Sequence, residues 1–288
     1  MIRSSMNTSQ QPILLIGTHR SGTTWLGRVL STHSSLAYWI EPRHVWTWGH
    51  WFRDDDRLGA EDATDRVASH IRRRFAEFVS RQGKQRLLEK TPGNCLRVAF
   101  VRRVFPEASI IFLVRDGRAV ISSNELQRQR LLSAATVRRR FGDTSPTEWV
   151  AHLGQVPRVF NKLLGRKARI WGPHPPGWKD WVRNDPAIVV AARQWASMIE
   201  HALSELATGE SSSQLLLKYE DLLENPEKQL TRVAEVCDLG DPSGLIELAR
   251  GSALSGTRDK WRCRLDDESL SKIRPILEPM LRRLEYKW

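Results

Sequence analysis

The sequence predicts an α/β fold with a largely parallel central sheet flanked by helices, and two observations support this prediction. Short, continuous apolar runs at 12–17 (PILLIG) and 109–114 (SIIFLV) are typical of strands that are buried on both faces of a parallel sheet. These runs alternate along the chain with helical patterns such as 187–206, where apolar residues recur every three or four positions. Alternating buried strands and amphipathic helices are typical of an α/β sheet.

Each element is predicted from its apolar spacing or its turn residues. Strands are predicted at 12–17, 86–89, 109–114 and 214–218. Helices are predicted at 23–30, 61–82, 96–105, 117–130, 187–206, 226–237 and 267–286. Two segments rich in aromatic, Pro or Gly residues, 38–58 and 169–185, are predicted to be irregular. The basic segment 131–167 is predicted to be partly helical.

No linker or repeat divides the chain, so we expect one domain at 12–286, preceded by a disordered tail at 1–11. The tail lacks the apolar region of a signal peptide, and no apolar run approaches the roughly 20 residues of a membrane span. Three cysteines without metal-like spacing favour reduced thiols. We therefore expect a cytoplasmic protein with at most peripheral membrane contact, and its oligomeric state is left open.

The chain is strongly basic, with 45 Lys and Arg against 33 Asp and Glu and a formal net charge of +12. A solvated surface accounts for part of this excess, and an anionic ligand or partner is the sharper alternative. Nucleic acid, an acidic membrane surface and a nucleotide with several phosphates are all compatible with the charge alone.

The first predicted strand runs into a glycine-containing turn at 17–25 (GTHRSGTTW) and then into a helix. Backbone N–H groups and the helix dipole favour an anion at a helix N-terminus, and the hydroxyls of Thr23 and Thr24 add donors. The two glycines are five apart, as in a Walker A loop, but Thr23 stands where Walker A has lysine. The cation is instead Arg20, so the turn is predicted to bind phosphate without the magnesium arrangement of an ATPase.

A second cluster follows the strand at 109–114, where Arg115 begins the segment RDGRAVISS. A cation at the carboxyl end of a parallel strand lies where α/β sheets bind ligands. Ser123 follows Arg115 by eight residues, so the two side chains can meet over the first turns of the next helix. The simpler alternative is a helix capped by Asp116, with its arginines in solvent.

Together the two clusters make the sequence resemble the sulfotransferases that use 3′-phosphoadenosine 5′-phosphosulfate (PAPS), in the style of bacterial and tyrosylprotein (Golgi-type) members. The resemblance implies a P-loop-like fold, PAPS as donor, 3′-phosphoadenosine 5′-phosphate (PAP) as product, and no metal. It implies that Arg115 and Ser123 grip the 3′-phosphate. The residues implied at the 5′-phosphate end are Arg20, Ser21, Gly22, Thr23, Thr24 and Trp25.

A C-terminal segment at 256–262 (GTRDKWR) is similar to the loop that closes over the cofactor in this family. The resemblance implies that Arg258 and Lys260 belong to the cofactor site, although Lys260 and Arg262 are equally compatible with solvated charges. The segment at 219–222 (YEDL) also resembles a family signature, and we interpret it as structural.

Sulfuryl transfer needs a base for the acceptor hydroxyl and cations for the developing charge. Glu41 is the candidate base, because it follows the first helix closely and because tyrosylprotein sulfotransferases have a catalytic glutamate at a matching distance. Cytosolic members use histidine, so His44 and His50 remain possible substitutes. Lys90, at the end of a predicted strand, resembles a lysine that contacts the transferring group, with pairing to the adjacent glutamate or solvent exposure as the alternative. Arg20 would bridge the 5′-phosphate and the sulfuryl group.

Aromatic side chains cluster just after the candidate base and again in the segment 169–185. They are Trp39, Trp46, Trp48, Trp51 and Phe52, followed by Trp171, Trp178 and Trp181. Aromatic faces can stack on an acceptor ring or belong to the core. We expect a carbohydrate, glycolipid or other small hydroxylated acceptor, with a phenol or peptide tyrosine as the alternative. No role is predicted for His19, His33 or His70.

Two other functions compete with this interpretation. A P-loop kinase or NTPase would bind ATP with magnesium, and the missing Walker lysine argues against it. A basic module for nucleic acid or membrane surfaces would lose affinity with salt, but it does not account for two phosphate motifs at strand ends. We therefore expect no nucleic-acid partner.

Overall fold

The computed structural model describes residues 11–131, 170–208, 213–252 and 259–288. Within these ranges the chain forms a five-stranded sheet with helices on both faces. Three expectations from the sequence concern residues outside the described ranges. They are the tail at 1–10, the basic segment from 132 to 167, and Arg258.

All strands of the sheet run parallel, in the order β2-β3-β1-β4-β5. The strands are β1 (Ile13–Ile16), β2 (Leu36–Ile40), β3 (Arg86–Lys90), β4 (Ser109–Val114) and β5 (Gln214–Lys218). β1, β3 and β4 are buried at every residue, which is why they occupy the middle of the sheet. This arrangement confirms the predicted α/β fold with a mainly parallel, P-loop-like sheet.

Helices cover both faces of the sheet and complete two cores. Leu14 and Ile16 of β1 belong to one apolar cluster, and Ile13 and Leu15 to the other, as the alternation of side chains along a strand requires. The helices are α1 (Thr23–Leu30), α2 (Arg43–Trp46), α3 (Asp65–Arg81), α4 (Val98–Val104), α5 (Gly117–Leu131), α6 (Trp178–Asn184), α7 (Ala187–Leu206), α8 (Tyr219–Glu224), α9 (Pro226–Cys237), α10 (Ser243–Ser252) and α11 (Asp267–Arg283). Among the helices in the described ranges, none is both long and apolar enough to cross a membrane.

The predicted bounds of α1, α7, α9, β4 and β5 agree with the structure. Helix α3 begins later than predicted, because the Thr64 side chain accepts a hydrogen bond from the Val67 amide and caps the helix there. Helix α4 also begins later, because Pro92–Leu96 forms a 3₁₀ turn before it. Helices α8 and α10 were not predicted.

The segments 38–58 and 169–185 were predicted to be irregular, and both predictions were wrong in part. The first contains most of β2 and all of α2, and β2 is difficult to recognise because only Leu36 and Ala37 are buried in this edge strand. The second contains α6, which begins directly after Gly177, a residue with a left-handed φ of 80°. Short elements such as β2 and α6 are difficult to predict from sequence, because glycine and half-exposed positions interrupt the apolar pattern. Tertiary contacts provide much of the stability of such elements.

Candidate active site

The carboxyl ends of four strands meet along one edge of the sheet, where parallel α/β sheets bind their ligands. β1 leads into the loop 17–22, β2 ends next to Glu41, β3 ends at Lys90, and β4 leads into Arg115. The strand order therefore brings together side chains that lie far apart in sequence, including most of those that the sequence motifs single out.

The loop between β1 and α1, which we call the phosphate loop, is a tight turn that forms a cradle before the N-terminus of α1. The Ser21 amide donates to the Thr18 carbonyl (3.2 Å), and the hydroxyls of the two residues lie 2.5 Å apart. Helix α1 begins at Thr23, and no side chain caps its N-terminus. First-turn amides have no acceptor within their own helix, so this end of α1 suits an anion such as phosphate.

Gly22 shows how closely the cradle is packed. Its φ of 93° is left-handed, and a Cβ at this position would fall 2.4 Å from the ring of Tyr219. The Arg115 guanidinium lies over that ring, 4.6 Å from its centre, and Trp25 meets it edge-on at 6.2 Å between ring centres. Tyr219, at the start of the YEDL segment, therefore lies between the two predicted phosphate motifs.

Arg20 connects these two motifs. Its Nε donates to Ser123 Oγ (2.9 Å), and Arg115 Nη1 donates to the Arg20 carbonyl (3.0 Å). The Arg20 backbone has a left-handed φ of 67°, which few non-glycine residues adopt. Arg115 and Ser123 thus contact the same residue at two different groups, and their joint role stays a prediction.

The acidic residue next to Arg115 has a structural role. Asp116 Oδ1 accepts from the Arg118 amide (2.8 Å), and Arg118 Nη2 pairs with Oδ2 (2.7 Å). Arg118 also donates to the Lys287 carbonyl and lies over the Trp261 ring. Asp116 therefore caps α5 and links it to the C-terminal segment, while Arg115 reaches the phosphate loop.

The predicted C-terminal contribution is only partly described. Lys260 is exposed and opens the 3₁₀ turn Lys260–Cys263. Arg262 pairs with Asp259 (3.2 Å). In the described ranges no hydrogen bond or ion pair joins Lys260 to the phosphate loop, so the structure does not bring Lys260 to the site. Its role, like that of Arg258, stays a prediction.

Glu41, the predicted base, is held by two cations. Lys90 Nζ donates to Oε1 (2.8 Å), and Arg43 Nη2 donates to Oε2 (3.0 Å). Burial alone would raise the pKa of Glu41, but the charges and hydrogen bonds of Lys90 and Arg43 outweigh it and hold the pKa below its ordinary value. The Glu41 backbone is also left-handed, with a φ of 53°. A carboxylate kept ionised in this way is in the form that accepts a proton.

The two alternative bases have other surroundings. His50 Nε2 lies 3.1 Å from the Asp62 carbonyl. His44 is exposed, and its ring meets Trp39 edge-on at 6.1 Å between ring centres. Neither of these contacts involves the phosphate loop or the end of β3, so the geometry favours Glu41.

Lys90 forms the buried end of β3, with a side chain that is 3% exposed. Its ammonium donates to Glu41 and not to the adjacent Glu89. Successive side chains of a strand point to opposite faces, and Glu89 accepts instead from Thr91 and Asn94 (3.0 Å to Asn94 Nδ2). Burial raises the pKa of Glu89 to about 7. The alternative in which Lys90 pairs with Glu89 is therefore wrong.

Some of the aromatic residues that follow the predicted base belong to the core, and others lie at the surface. Trp46 is fully buried, and Trp39 stacks on Phe78 with 4.2 Å between ring centres. Trp51 is half exposed and Phe52 almost completely exposed. Trp46 therefore belongs to the core, and Trp39 packs against that core with one face on Phe78.

The second aromatic cluster reaches the phosphate loop through one of its members. Trp171 is 45% exposed and meets the His19 ring edge-on at 5.2 Å between ring centres. Trp178 instead donates from Nε1 to the Asp54 carbonyl (2.9 Å). Trp171 is therefore the member of this cluster that lies beside the candidate site.

Three residues at the site were missed by the sequence analysis. Arg43 holds Glu41, and its position two residues further on is the signal that could have identified it. His19 is buried within the phosphate loop, next to Arg20. Its Nε2 lies 2.8 Å from the side-chain nitrogen of Asn124, a residue without an obvious sequence signal.

The donors at this edge of the sheet fit an anionic nucleotide with two phosphates. The first turn of α1 supplies N–H groups, and Arg20 and Arg115 supply guanidinium groups on two separate elements. Lys90 adds a third cation close by. In the part of the chain that the structure describes, no group of three or more His, Cys, Asp or Glu side chains is arranged to hold a metal ion.

A family model described as the sulfotransferase family matches residues 12–156 of this chain. The protein-tyrosine sulfotransferase of Drosophila melanogaster is 30% identical over 129 residues, which are 41% of this chain and 26% of that protein. Nodulation protein NoeE of Sinorhizobium fredii is 24% identical over 260 residues, which are 84% of this chain and 54% of that protein. The chain thus aligns with about a quarter to a half of the length of these relatives.

Two solved structures share the fold. The sulfotransferase domain from the curacin biosynthetic pathway superposes with a TM-score of 0.56 at 18% identity, covering 96% of this chain and 98% of that domain. The sulfotransferase domain from the Synechococcus PCC 7002 olefin synthase superposes with a TM-score of 0.53 at 19% identity, covering 100% and 99%. At this level of identity the two comparisons concern the fold alone.

Proposed function

The chain belongs to the sulfotransferase family, and we propose that it is an enzyme that moves a sulfuryl group from PAPS to a hydroxyl of an acceptor. One observation carries this proposal. Arg20 lies at the junction of the two phosphate motifs, because it donates to Ser123 and accepts from Arg115. A nucleotide with a 5′- and a 3′-phosphate needs two anion sites at a fixed separation, and the contacts among these three residues support such an arrangement.

The proposed roles at the donor site follow from the elements that carry the residues. The phosphate loop and the first turn of α1 would hold the 5′-phosphate, and Arg115 and Ser123 the 3′-phosphate. Arg258 and Lys260 would approach from the C-terminal segment. The residues proposed at the 5′ end are Arg20, Ser21, Gly22, Thr23, Thr24 and Trp25.

The chemistry divides between the donor and three side chains. The bound donor supplies a sulfuryl group, whose bond to the 5′-phosphate oxygen breaks as the acceptor oxygen bonds to sulfur. Glu41 takes the acceptor proton on the carboxylate oxygen that Lys90 otherwise holds. Lys90 offsets charge on the sulfuryl oxygens. The electron pair of the broken bond stays on the phosphate oxygen. Arg20 and the loop amides stabilise the negative charge that develops there.

For the acceptor we propose a hydroxyl of a carbohydrate, glycolipid or other small molecule. The supporting observation is the half-exposed Trp171 beside the phosphate loop, because aromatic faces pack well against rings. The second candidate is a phenol or peptide tyrosine. It is favoured by the names of several relatives, whose alignments cover 39 to 41% of this chain.

Calorimetric binding of PAP in metal-free buffer tests the donor site. We expect wild type to bind PAP, and Arg20→Ala and Arg115→Ala each to weaken binding about tenfold or more, since each removes a charged hydrogen-bond donor. Arg81→Ala is the matched control, because Arg81 is a solvent-exposed arginine at the end of α3. Absence of PAP binding, with magnesium-dependent ATP binding instead, would favour a P-loop kinase and refute the proposal.

A panel of acceptors with sulfur-labelled PAPS tests the second half of the proposal. The panel contains sugars, a glycolipid, simple phenols and tyrosine peptides, and label transfer and PAP release are measured together. We expect transfer to a member of the first two groups, reduced by Trp171→Ala. Transfer to phenols or peptides alone would select the second candidate.

A further inference from the structure

His19 lies inside the phosphate loop and is 5% exposed. Its Nε2 is 2.8 Å from the side-chain nitrogen of Asn124. Asn124 follows Ser123, which accepts a hydrogen bond from Arg20. The His19–Asn124 contact therefore joins the loop before α1 to the first half of α5, beside the bond that Arg20 makes.

The His19 ring is neutral. Burial is the main cause, and with the nearby charges of Arg20 and Arg43 it lowers the pKa of His19 to about 3, only partly opposed by Glu41. With the Asn124 nitrogen as donor, Nε2 accepts and the ring hydrogen lies on Nδ1. Nδ1 has no hydrogen-bond partner among the described residues. His19 therefore acts as a fixed connector and does not exchange protons at neutral pH.

A third segment packs on the same ring. Trp171 meets it edge-on, and Gly172 approaches so closely that a Cβ there would lie 3.2 Å from His19 Nδ1. From the other side Gln194 of α7 donates to the carbonyls of Trp171 (2.9 Å) and Pro173 (2.6 Å). Because Gln194 is itself only 1% exposed, this segment is held firmly against His19.

We propose that His19 is a positioning residue that fixes the separation of the 5′-phosphate and 3′-phosphate subsites. The proposal rests on the proposed function, since it presupposes a nucleotide with both phosphates. The 5′ subsite belongs to the loop that contains His19, and the 3′ subsite belongs to α5, which contains Asn124. A hydrogen bond between the two elements sets their separation before the ligand binds, so that a bisphosphate engages both subsites at once.

Loss of this bond leaves each subsite intact. The remaining contacts of Arg20 with Ser123 and Arg115 use residues that are proposed to engage the phosphates, so the separation then varies when a nucleotide binds. Part of the binding energy of a nucleotide with two phosphates is then needed to restore the separation, so its affinity falls. A nucleotide with one phosphate uses one subsite and does not sense the change. Adenosine 5′-phosphate and adenosine 3′-phosphate are therefore internal controls for PAP.

The experiment measures calorimetric binding of these three nucleotides to wild type, His19→Phe, His19→Gln and Asn124→Leu. Phenylalanine keeps a ring of similar size without Nε2, whereas glutamine restores a hydrogen-bond acceptor near the Nε2 position. We expect H19F and N124L to bind PAP about tenfold more weakly, the effect of one buried hydrogen bond. Affinity for both monophosphates should stay unchanged, and H19Q should recover most of the PAP affinity.

The double variant H19F/N124L completes the test, with thermal unfolding to establish that each variant is folded. The double variant should bind PAP as weakly as either single variant, because the two substitutions remove one shared bond. Additive losses, an equal loss for all three nucleotides, or unchanged PAP binding by folded H19F would each overturn the positioning role. Failure of wild type to bind PAP would refute the proposed function itself, and this inference with it.

Discussion

The phosphate half of the site and its acid–base half are built in different ways. The phosphate half, from the loop 17–22 to the start of α5, combines the uncapped N-terminus of α1 and the space that Gly22 leaves for the Tyr219 ring with the guanidinium groups of Arg20 and Arg115. The acid–base half, at the ends of β2 and β3, depends on side chains that hold one another, with Glu41 between Lys90 and Arg43.

This difference predicts what each half controls. A backbone cradle recognises its ligand by shape, so damage to it should lower nucleotide affinity. An ion-paired carboxylate controls protonation, so damage to it should lower the rate of transfer and alter its pH dependence. Four substitutions test this division, in order of decreasing expected effect.

Glu41→Gln removes the proposed proton acceptor and keeps the shape of the side chain. We expect transfer to slow by about 10²–10⁴-fold, the usual contribution of a general base, while PAP affinity is unchanged. The rate of PAP formation with an active acceptor from the panel and calorimetry with PAP measure the two quantities. Glu77→Gln, at a partly exposed carboxylate of α3, is the control. A comparable loss of PAP affinity in the Glu41 variant would contradict the division, because it would show that Glu41 also contributes to nucleotide binding.

Gly22→Ala should mainly lower the affinity for PAP. The left-handed φ and the clash with Tyr219 together predict a loss of PAP affinity of about a hundredfold, from strain and overpacking of roughly 1–3 kcal/mol each. Gly83→Ala is the matched control, because Gly83 also has a left-handed φ (61°) but a Cβ there would meet nothing within 4 Å. Calorimetry with PAP reports the difference, and tight binding by the Gly22 variant would show that the cradle tolerates a wider spacing.

Lys90→Met should change the pH dependence of transfer. Glu41 accepts a proton only when ionised, so the rate falls as the pH drops through its pKa, which the cations hold below the ordinary value. Without the charge and hydrogen bond of Lys90, burial raises the pKa of Glu41, so the acid limb of the pH–rate profile should move to higher pH. Lys84→Met, at an exposed lysine bonded to the Ser34 carbonyl, should leave the limb in place. A limb that stays unchanged in the Lys90 variant would argue against Glu41 as the base.

Tyr219→Leu should have the smallest effect, again on binding. It removes the ring beneath the Arg115 guanidinium, and the loss of a cation–π contact worth about 0.5–1 kcal/mol corresponds to a two- to fivefold weaker affinity for PAP. Tyr219→Phe keeps the ring and should bind PAP as wild type does. If the phenylalanine variant were the weaker of the two, the hydroxyl rather than the ring would carry the effect.

The phosphate half could be predicted from sequence because its signals are local. A buried strand, a glycine turn and a helix occupy one stretch at the start of the chain. Arg115 directly follows another buried strand, and Ser123 lies in the helix after it. The sheet itself follows from the same apolar runs. Local patterns of this kind are the most reliable information that a single sequence contains.

The rest of the site depends on strand order, which the sequence does not reveal. Lys90 and Glu41 are 49 residues apart and meet because β3 pairs with the edge strand β2. That strand was not predicted, so the Glu41 contact with Lys90 could not be derived. His19 and Asn124 are 105 residues apart and meet only because β1 lies beside β4.

Arg20 and Glu41, one in each half of the site, share a left-handed backbone. Glycine is the residue best suited to that conformation, so Arg20→Gly or Glu41→Gly would relieve roughly 1–3 kcal/mol of strain while deleting the side chain. At Glu41 this gain is outweighed, because the buried ammonium of Lys90 would lose its partner. Directed evolution for heat resistance alone would therefore reward the loss of the Arg20 side chain. Any thermostability screen on this scaffold needs simultaneous selection for turnover, because stability can be gained at a position where the chemistry is proposed to occur.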